Sequence, residues 1–135
     1  MSPEHREYAE LLLQKAREEL GAAQTLVATD DYAAHVVGFL LQQAVEKAMK
    51  SVLAAREIEI PYTHNLGDLL KRFEAVGITV PPSLASAEWL TPWGVTFRYD
   101  DPTEGLDLDK GLGAATAAIA LAEGALADDD SPPDP

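Results

Sequence analysis

From residue 8 to residue 27, Tyr8, Leu12, Ala16, Leu20, Ala23 and Val27 recur at steps of three and four. That spacing draws one apolar stripe along an α-helix, predicted over residues 3–28. Ser2 before Pro3 and Glu4 marks its start, with a capping hydroxyl, a proline at the first helical position and an acid in the first turn. Thr29-Asp30-Asp31 is a polar break with capping chemistry, and residues 31–57 are predicted as the second helix. Its apolar residues, from Tyr32 and Val36 through Leu40, Leu41, Val45, Met49 and Leu53, cover more than one face. Such width predicts a central helix packed on several sides.

The stretch EIEIPYTHNLGDLL breaks at Pro61 and restarts at a cap, Thr63 or Asn65. A short helix over residues 64–75 follows, carrying Leu66, Leu69, Leu70 and Phe73, and Gly77 ends it. Pro81-Pro82-Ser83 opens another short helix to Leu90, which Thr91-Pro92-Trp93-Gly94 is expected to close. TFRYDDPTEG is then a connecting loop, and the Ala- and Leu-rich residues 106–127 make a last helix whose small side chains allow close approach. No stretch alternates as a half-buried strand does, and neither a glycine-rich phosphate loop nor an internal repeat is present. The prediction is an all-α, up-and-down bundle of four to five helices over residues 1–127, with an acidic, proline-rich tail at 128–135 expected to be disordered.

Charge narrows the function classes. A net charge of −13 over 135 residues repels polyanions, so any phosphate site must be local rather than a broad basic surface. Beyond residue 72 the basic residues are Arg98 and Lys110 alone. The chain has no cysteine, which excludes disulfides, thiolate metal sites and a cysteine nucleophile. With a charged N-terminus and no long apolar run, the expectation is a soluble cytoplasmic protein with no membrane association.

On the second helix His35, Gln42, Gln43, Glu46, Lys47 and Lys50 interrupt the apolar residues. They read as a solvated stripe, with Glu46 and Lys50 in the i, i+4 order that favours pairing.

Three segments together, QQAVEKAMKSVLAA at 42–55, THNLGDLL at 63–70 and FRYDDP at 97–102, resemble the HEPN family in order and spacing. The resemblance implies an all-helical domain, usually a homodimer, found with a small nucleotidyltransferase partner and in proteins that act on RNA or nucleotides. Several branches are toxins or metal-independent endoribonucleases, whose motif is an arginine followed after four to six residues by a histidine. Here the arginine is Arg98, and Thr103, Glu104 and Gly105 stand where the histidine would fall. The sequence departs from the nuclease pattern at the residue that transfers the proton. In the toxin branch a tyrosine just beyond that histidine is modified with AMP, whereas here Tyr99 adjoins the arginine.

Metal-independent RNA cleavage needs a base for the 2′-hydroxyl proton and a cation for charge growing on the phosphorane. Arg98 supplies a bidentate cation; its alternative role is an ion pair with Asp100, Asp101 or Glu46. Candidates for the base are Glu104, by its spacing, His64, whose alternative role is a helix-start contact to the loop backbone, and His35. His35, beside Val36, reads as a partly buried structural histidine. The acids Asp100, Asp101, Glu104, Asp107 and Asp109 lack the spacing of a calcium loop and read as a solvated connector, so neither a metal nor a cofactor is expected.

Three function classes follow. The leading one is a homodimer that binds a nucleotide or short RNA through Arg98, Tyr99, Lys47, Lys50 and Glu46, paired with a small nucleotidyltransferase in a toxin-antitoxin-like system. The second is a divergent endoribonuclease using Arg98 with Glu104 or His64, and the third a non-catalytic helical interaction module. The aromatics Trp89, Trp93, Phe97 and Tyr99 near one loop are the expected dimer surface.

Overall fold

The computed structural model describes residues 1–94 and 105–129. Its described residues form helices without strands: α1 (Pro3–Ala28), α2 (Ala34–Ala55), α3 (Leu66–Ala75), α4 (Pro82–Ala85), a 3-10 helix (Ala87–Gly94) and α5 (Leu108–Asp129). No described helix is long and apolar enough to cross a membrane.

The α1 start follows the sequence: the Ser2 hydroxyl accepts the His5 N–H and Pro3 holds the first helical position. Glu57, just past the C-terminal end of α2, anchors that end by accepting the Ser2 N–H at 2.6 Å. The buried face of α1 is Ala9, Leu12, Leu13, Ala16 and Ala23. Tyr8, expected on the stripe, is 47% exposed, because contact with both α2 and α5 centres the buried face on the neighbouring Ala9 line. The α1–α2 connection also differs from expectation. Asp30 takes a left-handed φ of 59° and Ala33 becomes the N-cap without a side-chain bond, so α2 starts three residues later than predicted.

Helix α2 is the centre of the molecule, lying against α1 on one side and α5 on the other. Fourteen of its residues are buried, Leu41, Val45, Met49 and Leu53 among them. Helix α5 meets it through Ala114, Ala115, Ala118 and Ala122, all fully buried, the close approach that small side chains permit. At one end Phe73, Leu84, Ala87 and Leu90 from α3, α4 and the 3-10 helix close the core.

Two caps on α3 match the sequence. Asn65 Oδ1 accepts the Asp68 N–H at 3.2 Å. Gly77, at φ 78°, ends the helix while the Ile78 N–H bonds back to the Phe73 carbonyl. The next segment departs from expectation: a four-residue α4 is followed by a 3-10 helix that runs through Thr91-Pro92-Trp93-Gly94 instead of stopping before it. Docking holds it there, since Trp93 packs onto Gly38 of α2 and the Thr91 hydroxyl accepts the Leu66 N–H at the start of α3. Helix α5 reaches Asp129, two residues into the expected tail; residues 130–135 lie outside the described residues.

Candidate functional site

Gln42, Glu46 and Lys50 are spaced by four and lie on one side of α2. The chain between α2 and α3 comes back across this side and delivers His64. Gln42 Nε2 donates to the His64 carbonyl at 3.2 Å and to Glu46 Oε1 at 3.0 Å. Gln43 Nε2 donates to Gln42 Oε1 at 2.7 Å and fixes the amide's orientation. Lys50 Nζ lies 3.0 Å from Glu46 Oε2, and His64 Nδ1 lies 3.0 Å from the same oxygen. Gly94 completes the enclosure, with its Cα so close to the Gln42 amide that an added Cβ would fall 2.4 Å from Gln42 Cδ.

The solvated-stripe reading is therefore corrected for two of its members: Gln42 is 0% and Glu46 4% exposed. Docking of the 60–65 segment and the 3-10 helix seals them, and the donors around them replace water. Burial by itself would raise the Glu46 pKa. The bonds from Gln42, His64 and Lys50, with the charge of Lys50, outweigh it and hold the carboxyl below its ordinary range.

An ionised Glu46 can only accept, so His64 Nδ1 carries the proton on this bond. In the neutral imidazole Nε2 then holds the lone pair. His64 is 78% exposed at its side chain, and among the described residues Nε2 has no hydrogen-bond partner. Its backbone is fixed on both sides: the Thr63 hydroxyl accepts the Asn65 N–H and donates to Asp68, and Asn65 caps α3. A rigidly placed imidazole with a buried carboxylate behind it and an open nitrogen in front can take up a proton or hydrogen-bond a ligand.

Next to Glu46 in the chain but turned to another side of α2, Lys47 pairs with Glu19 of α1. Burial pushes the Glu19 pKa up despite the Lys47 ammonium. Both lysines expected near a phosphate thus rest on carboxylates of the protein itself. The structure brings together Glu46, Lys50 and His64, and sets Lys47 against α1. Arg98, Tyr99 and Glu104 lie outside the described residues, as do Phe97, Asp100 and Asp101; Trp89 and Trp93 are half-buried against the core.

Sequence reasoning had not assigned Gln42 to the site, although it bonds both Glu46 and His64. The signal was present, because Gln42, Glu46 and Lys50 repeat at i, i+4 and i+8. Glu19 carried no comparable signal, since its partner is on another helix.

A model of the HEPN domain matches residues 9–127. The chain belongs to the HEPN domain family. Neither a curated protein nor a solved structure matches it. The HEPN match covers all of the core helices, from Ala9 on α1 to nearly the end of α5, and includes the Gln42–Glu46–His64 cluster. Two of the three segments that carry the resemblance, 42–55 and 63–70, meet in that cluster.

Proposed function

We propose that this HEPN protein binds a nucleotide or short single-stranded RNA at the His64 face, with His64 as the contacting imidazole and Glu46 as the residue that orients it. The observation that carries the reading is the exposed His64 ring held at Nδ1 by a buried, ionised carboxylate. Lys47 and Lys50 are engaged by Glu19 and Glu46, so in this reading they shape the site, and the phosphate charge falls to Arg98, with Tyr99 beside it. The family supports a homodimer and a small nucleotidyltransferase as partner.

A second reading, a divergent metal-independent endoribonuclease, is favoured by one feature: His64 Nε2 is open to accept a 2′-hydroxyl proton. In it Arg98 stabilises the phosphorane, and Glu104 is the competing base.

Calorimetric titration of the full chain with AMP and with a single-stranded hexa-adenylate tests the first reading. Saturable binding that weakens about tenfold or more in His64→Ala and in Arg98→Ala is expected. No binding of either probe at millimolar concentration would remove it and leave the interaction module. Hexa-adenylate that stays intact over hours with the protein would remove the second reading, and a light-scattering mass of one chain would remove the homodimer.

A further inference from the structure

We propose that Tyr62 is a stacking platform for a nucleobase, holding the base beside the His64 imidazole. The proposal rests on the reading of the protein as a nucleotide or RNA binder and adds the group that grips the base.

Tyr62 is a fully exposed large side chain, and its ring lies beside that of His64. The ring centroids are 6.4 Å apart and the planes are inclined by 58°, a separation and tilt within the range of interacting aromatic pairs. Burying nothing, Tyr62 contributes little to the core. The backbone beneath it is nevertheless well held. Ile60 packs against the core, and Pro61 has a fixed φ. On the other side Thr63 bonds to Asp68 and Asn65, and Gln42 holds the His64 carbonyl. With the backbone already ordered, a ligand that stacks on the ring leaves only the tyrosine side chain to be ordered, which lowers the cost of binding.

The charge distribution favours an uncharged contact. With a net charge of −13 the molecule repels a phosphate backbone, and the two lysines nearest His64 on α2 are paired with Glu19 and Glu46. Aromatic stacking is indifferent to that field and accepts any base, because every base has a π-face. A base laid on Tyr62 brings its ribose and phosphate to the neighbouring imidazole.

The test compares hexa-adenylate with an abasic ribose-phosphate hexamer of the same length, titrated into wild type, Tyr62→Ala, Tyr62→Phe and Tyr62→Trp. Stacking predicts that Tyr62→Ala weakens hexa-adenylate binding at least about fivefold. Phe and Trp should retain wild-type affinity within about twofold, and the abasic probe should bind all four proteins alike. Hexa-adenylate binding unchanged in Tyr62→Ala, a loss in Tyr62→Phe equal to that in Tyr62→Ala, or an equal loss on the abasic probe would overturn the proposal while leaving RNA binding intact. Wild type that binds no hexa-adenylate would overturn the proposal together with the reading beneath it. Because Tyr62 is exposed, thermal unfolding of the three variants should match wild type.

Discussion

At neutral pH Glu46 is an ionised carboxylate 4% exposed inside a helical bundle, supported by an amide, an ammonium and an imidazole. Its folded pKa lies below the ordinary 4.5, so the stability it contributes is fully present above that value and is lost as pH falls through the lowered folded value. Glu19 has the opposite sign: its raised pKa means that its charge is penalised in the fold, and protonation at low pH relieves the penalty. Glu46→Gln removes the negative charge and replaces one of the two acceptor oxygens that serve Gln42, Lys50 and His64 with a donor, and should cost about 3 kcal/mol at pH 7. In urea unfolding followed by circular dichroism, the gap between wild type and variant should narrow as pH falls below the ordinary carboxylate range; a gap constant with pH would mean that the charge of Glu46 is immaterial. The pairing of Glu46 with Lys50 was legible from their spacing, but the burial of Glu46 and Gln42 was not. Spacing along one helix defines a polar side and carries no record that a distant segment seals it. For His64 the sequence left a helix-start role and a proton-transfer role open; the structure gives the cap to Asn65 and the carboxylate to His64.

At the scale of elements, the site depends on how closely the 3-10 helix lies on α2. A Cβ on Gly38 would stand 2.3 Å from Trp93 Cε3, and one on Gly94 would strike the Gln42 amide. Gly38→Ala should therefore destabilise the protein by about 1–3 kcal/mol through overpacking. Gly21, on α1 with open space around it, should respond oppositely, Gly21→Ala adding about 0.5–1 kcal/mol of helix stability. Thermal melts check both signs, and a stabilising Gly38→Ala would contradict the close docking. Caps and apolar spacing are local, so these helices were legible: α1 matches its predicted bounds, and α3 has Asn65 as its N-cap and Gly77 just past its end, although it starts at Leu66, two residues later than predicted. The segment 87–94 was misread because Pro92 and Gly94 argue locally for a break, whereas Trp93 on Gly38 and Thr91 on Leu66 hold a 3-10 turn there by contacts from other helices.

For the whole molecule, family and fold were legible because the Gln42–Ala55 and Thr63–Leu70 segments are sequence patterns that the fold places side by side, and the HEPN match spans the same helices. The third segment, with Arg98 and Tyr99, lies outside the described residues, and the candidate site among the described residues is the Gln42–Glu46–His64 cluster. Two surface grooves, one lined by Leu70, Phe73 and Ile78 and the other between α1 and α5 by Arg6, Arg17 and Glu123, are formed by other residues. A protein carrying a net charge of −13 gathers no RNA by its field, and in the proposed reading recognition falls on the exposed His64 imidazole held by buried Glu46. The most direct test follows the imidazole NMR signals of His64 in the full chain as hexa-adenylate is added, with His5, at the start of α1, as internal reference. Binding at His64 should give a saturable shift of its ring signals, unmoved His5 signals and a weaker response in Glu46→Gln. His64 signals that stay in place at millimolar RNA would contradict it.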